Sequence, residues 1–128
     1  MIDNPTQYDI DVYKDRDFYR AYVIKDSADA LIDISDWTVT SQIRPTYSST
    51  ELTAQMVVTT VTGTSTITTT LESAVTGAIN AETPINLAST TTSTNLVWDM
   101  VIDTVSGDRF TLITGIVDFH DSVTREVV

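Results

Sequence analysis

Along most of this chain apolar and polar residues take turns, the period-two pattern of strands with one buried and one wet face. Tyr8, Ile10 and Val12 alternate with Asp9 and Asp11, which predicts a first strand. Asp15-Arg16-Asp17 interrupts it, and a second strand follows from Phe18 to Ile24, with Phe18, Tyr22 and Ile24 on one side. Lys25 to Ala30 reads as a turn, because Asp and Ser side chains bond readily to nearby backbone. Leu31, Ile32 and Ile34 make a short apolar piece. A third strand then places Trp37, Val39, Ser41 and Ile43 on one face, and Arg44-Pro45 ends it, since proline cannot continue a central ladder.

After a loop at Tyr47 to Thr50, Leu52, Ala54, Met56 and Val58 share a face of a fourth strand. Thr62-Gly63-Thr64 turns the chain into a threonine-rich fifth strand, Ser65 to Leu71. Glu72 to Ile79 is the one plausible helical turn, too short to hold without docking on a sheet. Residues 80–94 read as an exposed loop, because Ala88 to Thr94 offers almost no core-forming side chain. The last third predicts a hairpin. Leu96, Trp98, Met100 and Ile102 alternate with Val97, Asp99, Val101 and Asp103, and Ser106-Gly107-Asp108 turns the chain. The return strand runs from Arg109 to Phe119, with Gly115 suggesting a bulge. About seven short strands at roughly ten-residue intervals, with one helical turn, predict an all-β sandwich or small barrel. One domain over residues 1–128 is expected, and no internal repeat argues otherwise.

Composition narrows the function classes. Threonine makes up about a fifth of the chain, which suits strands better than helices. Cysteine is absent, which removes disulfides, thiolate metal sites and cysteine nucleophiles. Mean hydropathy is +0.02, and no apolar run approaches the roughly 20 residues of a membrane helix. The start, Met1-Ile2-Asp3-Asn4-Pro5, lacks the basic and apolar regions of a secretory signal, so a cytoplasmic origin is expected. With 18 acidic and 7 basic residues the net charge is −11, which makes nucleic acid and anionic membranes poor partners. The acidity serves solubility, or it forms a face for a basic partner or a divalent cation.

Candidate chemistry is thin. His120 is the single histidine, flanked by Asp118 and Asp121, and no Gly-x-Ser-x-Gly elbow supplies a nucleophile for it. The acidic pairs Asp9/Asp11, Asp15/Asp17, Asp33/Asp36 and Asp99/Asp103 lack EF-hand spacing and read as solvated strand faces. Gly63, Gly77, Gly107 and Gly115 stand alone, outside any phosphate-binding fingerprint. Trp37 and Trp98 each have strand-forming neighbours two residues away and read as core, with a sugar-stacking platform as the sharper alternative. The tyrosines, Tyr8, Tyr13, Tyr19, Tyr22 and Tyr47, form no cluster in sequence. No catalytic, cofactor-binding or metal-ligating residue is expected, and the chain does not read as an enzyme.

Taken in order, three segments resemble a family of small virion proteins of tailed bacteriophages. Leu31 to Arg44 is similar to the family's Asp-Leu-Thr-Gly-Trp … Gln-Ile-Arg run, with Ser35-Asp36 where Thr-Gly is usual. Ile67 to Thr76 matches its strand entering a short helical turn. Val97 to Asp103, Ser106-Gly107, Thr114 to Val117 and Val123-Thr124-Arg125 resemble its ending. The resemblance spans about Tyr8 to Arg125; residues 80–94 look like an insertion and the first strands are unusually acidic. It implies an immunoglobulin-like β-sandwich of about seven strands that serves as a structural part of the virion, assembled in the host cytoplasm. The resemblance also implies kinship with domains at the N-termini of baseplate and tail-fibre proteins, which dock the fibre on the virion. The expected role is an adaptor of tail, baseplate or neck, homo-oligomeric in the particle and bound to other virion proteins. The alternatives are a capsid decoration protein and, from another class, a carbohydrate-binding module. The loop at 80–94 and the acidic first strands are the expected contact regions.

Overall fold

The computed structural model describes residues 5–79 and 93–120. Two sheets face each other. The three-stranded sheet contains β3 (Phe18–Val23), β7 (Thr66–Leu71) and β6 (Val57–Val61), all antiparallel and in the order β3-β7-β6. The larger sheet runs β1 (Thr6–Gln7), β9 (Arg109–His120), β8 (Ser93–Thr104), β4 (Trp37–Arg44) and β5 (Ala54–Gln55), with β2 (Ile10–Tyr13) also on β9. Between the sheets lie Ile10, Val12, Ile43, Trp98, Met100, Ile102, Val117 and Phe119 from one side, and Phe18, Ile67 and Leu71 from the other. Each is an alternate residue of its strand, as one-sided burial requires.

The fold is an all-β sandwich. Counting β1 with β2 and β5 with β6 as interrupted strands gives seven, and the sheet order is that of an immunoglobulin-like sandwich. Its first strand lies parallel to the last instead of beside the second. The helical turn forms as α1 (Ser73–Gly77), docked where Asp17 Oδ1 accepts the Ser73 N–H at 2.7 Å. Thr76 Oγ1 donates to the Arg16 carbonyl at 2.8 Å, which ties the other end of α1 to the same turn.

Four expectations are corrected. The fourth strand is one run in sequence but serves two sheets. Ala54–Gln55 pairs with β4, Met56 N donates to the Ser41 carbonyl, and from Val57 onward the chain pairs with β7. Leu52, expected on one strand face with the buried Ala54 and Met56, is 48% exposed because the strand begins after it. Ser93 and Thr94, expected in the loop at 80–94, belong to β8, opposite His120 and Phe119; the rest of that expected loop, residues 80–92, lies outside the described residues. The bulge is at Leu112, not Gly115. Met100 faces Ile113 while Val101 faces Thr111, so Leu112 is the extra residue and two adjacent side chains, Leu112 and Ile113, both turn inward.

Gly115 has a different task. Tyr8 N donates to the Thr114 carbonyl, and an unbroken parallel ladder would next aim the Tyr8 carbonyl at the Ile116 N–H. Instead Asp9 Oδ1 accepts that N–H at 2.9 Å, and the Tyr8 carbonyl accepts the Trp98 indole N–H at 2.8 Å. The exchange breaks the first strand into β1 and β2 without leaving an orphaned polar group. It needs Tyr8 to pass directly over residue 115, where a Cβ would overlap the Tyr8 carbonyl oxygen and stand 2.7 Å from Trp98 Nε1.

Candidate interaction surface

The outer face of the three-stranded sheet is set by its registers. Tyr19, Thr70 and Val57 form one row, Ala21, Thr68 and Thr59 the next, and Val23, Thr66 and Val61 the third. None of these nine residues is charged, in a chain of net charge −11. Tyr19 is 68% exposed, Val57 61%, Val23 56% and Val61 53%, so large apolar side chains stand in water. Their inward neighbours Phe18, Ile67 and Leu71 are buried, which fixes the register and forces this alternate set outward. Four large apolar side chains therefore stand exposed around threonines and Ala21, an uncharged face that is a candidate contact surface. Sequence reading missed it, although the signal was present: no charge occurs between Glu51 and Glu72.

The opposite face, outside the larger sheet, is polar. Asp99 sits half-buried there; desolvation raises its carboxyl above the usual range, and Arg44 and Arg109 act against the rise. Arg109 also pairs with Asp103 at 3.6 Å, in the open. Because the folded-state pKa of Asp99 is raised, its contribution to stability is fully present below its ordinary value and is lost as pH rises through the folded one. Asp99→Asn should therefore stabilise the protein at pH 7, by under about 1 kcal/mol given its exposure, and the gain should vanish near pH 3. Thermal melts of both proteins at the two pH values check this; a less stable variant at pH 7 would show that the arginine attraction outweighs burial.

The structure brings His120 to an acid that the sequence did not pair with it. The parallel register of β2 on β9 sets Asp11 beside Asp118 and Tyr13 beside His120. His120 Nε2 lies 3.0 Å from Asp11 Oδ1 and 3.6 Å from Asp118 Oδ2, and its ring stacks on Tyr13 with centroids 4.5 Å apart. The three donor atoms fall within 4.8 Å of one another, a spacing able to hold a divalent cation. The same contacts form a histidine–carboxylate pairing between β2 and β9, while Asp118 Oδ1 is buried with no hydrogen-bond partner among the described residues. Asp121, the other expected neighbour, lies outside the described residues.

The remaining candidates divide cleanly. Trp98 is 1% exposed and stacks near Tyr22 at 5.9 Å, while Trp37 packs edge-on against Phe110 at 5.6 Å. Both face the interior. Asp33 Oδ1 accepts the Ser35 N–H, which holds its carboxyl below the usual range; Asp9 is lowered in the same way by the Ile116 N–H. Asp15 takes a positive φ of 64° in the turn before β3. Gly107 takes φ +97° in the β8–β9 turn, as its place there requires. Tyr8 and Tyr22, separate in sequence, meet edge-to-face at 5.7 Å and line a cleft of about 720 Å³ with Ile24, Ile32, Leu112 and Ile113. Burial pushes the Tyr22 phenol up to about 12, with the Thr69 hydroxyl acting the other way; neither hydroxyl has a well-aligned hydrogen-bond partner.

Among the described residues no helix is long and apolar enough to cross a membrane. Comparison with protein-family models and with curated proteins finds no match.

Proposed function

We propose that this chain is a structural component of a tailed-phage virion, an adaptor of tail, baseplate or neck that acts through protein–protein contacts. The observation that carries the reading is the uncharged outer face of the three-stranded sheet. A surface of Tyr19, Val23, Val57 and Val61 is costly to leave in water and suits a partner that covers it. The ordered resemblance of Leu31–Arg44 and Val97–Val117 to small virion proteins supplies the class of partner. The acidic surface elsewhere keeps copies apart until the correct face is met. Its work is to hold neighbours, and its place is the particle assembled in the host cytoplasm.

The test is to mix the purified chain with each tail, neck, baseplate and capsid protein encoded alongside it and measure mass by light scattering after gel filtration. Co-elution with a tail, baseplate or neck protein is expected, lost when Tyr19 or Val23 is replaced by glutamate. Co-elution with the capsid protein alone would move the protein to capsid decoration. Failure to bind any of them would overturn the reading.

A second reading, a carbohydrate-binding module, has one observation in its favour, the cleft lined by Tyr8 and Tyr22. Titration with soluble oligosaccharides, followed through the tyrosine resonances, tests it; unmoved resonances would remove it.

A further inference from the structure

The three-stranded sheet has two edges among the described residues, and they differ in charge. The β3 edge carries Arg20, with Asp17 and Lys25 just beyond its ends. The β6 edge lies within the charge-free run from Leu52 to Leu71, and no described strand pairs with its outer side. An edge strand with no lysine, proline or inward charge is open to pairing with another chain.

We propose that a second copy of this chain pairs along β6, antiparallel and about a twofold axis through Thr59, joining the two small sheets into one of six strands. The inference rests on the reading of this sheet as a contact surface. Three features select a second copy as the occupant. Two chains of net charge −11 repel over most of their surfaces, and they approach at least cost where neither carries charge. The strand Val57-Val58-Thr59-Thr60-Val61 reads nearly alike in both directions. Centred on Thr59, antiparallel pairing sets Val57 of one copy against Val61 of the other, and the two Thr59 residues against each other.

The third feature is the outer face itself. The row Tyr19-Thr70-Val57 of one copy continues into the row Val61-Thr66-Val23 of the other, so valine meets valine at the seam. The joined face is wholly uncharged and twice as wide. A seam of one short strand buries less than the roughly 1,200 Å² of a stable interface, so the dimer should be weak and concentration-dependent. Weak pairing of this kind gains strength where many copies are held side by side.

Sedimentation equilibrium over a concentration series tests this, on the native chain and on two lysine variants. Thr59→Lys places like charges face to face on the axis, yet lowers the net negative charge by one. Val105→Lys makes the same change of charge at an 83% exposed position of the β8–β9 turn. The expected result is a concentration-dependent dimer, unchanged or slightly tighter in Val105→Lys and at least ~10-fold weaker in Thr59→Lys. As the chain has no cysteine, Thr59→Cys adds a direct readout. Opposed Cα atoms about 4.5–5.5 Å apart are within disulfide reach, so oxidation should give a covalent dimer that Val105→Cys does not form. A native chain that stays monomeric throughout, or equal weakening by both lysines, overturns the proposal. A monomer that still co-elutes with a virion protein overturns the dimer and leaves the adaptor reading standing. A dimer that binds no virion protein supports the pairing and removes the adaptor.

Discussion

Gly115→Ala is expected to destabilise the protein by at least about 3 kcal/mol, because the new methyl meets backbone and not a movable side chain. The Cβ would overlap the Tyr8 carbonyl oxygen and lie 2.6 Å from its carbon. Tyr8 cannot retreat freely. Its N–H is held by Thr114, its carbonyl by the Trp98 indole, and the next residue's carboxylate by the Ile116 N–H. Relief therefore requires β1 to leave β9, breaking those bonds together. The melting temperature should fall by roughly 10 °C. Chemical denaturation checks the free energy, and hydrogen exchange at Tyr8 and Ile116 checks the location. A variant as stable as the native protein would mean that the close approach of Tyr8 to β9 is not what the fold depends on.

Trp98→Ala should cost about 3–5 kcal/mol, since it empties the space of the largest fully buried side chain in the core. The more informative change is Trp98→Phe. It keeps an aromatic ring stacked near Tyr22 but removes the indole N–H that the Tyr8 carbonyl accepts. Leaving this part-buried carbonyl without its donor costs about 1 kcal/mol, toward the lower end for an unpaired group. Denaturation curves for both variants separate the packing contribution from the hydrogen bond. The combination of Trp98→Phe with Gly115→Ala should cost less than the two single changes added, because both act through the same Tyr8 peptide. Full additivity would show that the two side chains work independently.

Both predictions concern a junction that sequence reading located only in part. Trp98 was legible as core from the alternation of Leu96, Trp98, Met100 and Ile102, and burial bears that out. Gly115 was legible as special, but the reason assigned to it, a bulge, belongs to Leu112. The adjacent apolar residues Leu112 and Ile113 were the sign of that bulge, because two neighbours can face one core only where the pleat is interrupted. What a glycine makes room for cannot be read locally. Tyr8 is more than a hundred residues away in the chain.

The candidate surface divides in the same way. Alternation decided that Tyr19, Ala21 and Val23 share a face, and likewise Thr66, Thr68 and Thr70. That these two sets and Val57, Thr59 and Val61 form one grid depends on the β3-β7-β6 pairing, which no local pattern encodes. The fourth strand shows why. From Leu52 to Val58 its period is unbroken, so it reads as one strand; its partner changes at Met56 because the two sheets diverge there, and divergence is a property of the whole sandwich.

The all-β class, the seven strand regions, a short helical turn within Glu72 to Ile79 and the sharp turn at Gly107 were legible from the chain alone. These follow from periods of two, from β-branched and threonine-rich segments, and from glycine at a positive φ, all of which act over a few residues. That the first strand runs parallel to the last, that Asp11 meets His120, and that an uncharged face stands exposed on the smaller sheet emerged with the folded arrangement. Those outcomes come from which strands lie side by side. Side-by-side placement is selected by burying every inward face at once, a condition met by the chain as a whole and by no segment of it.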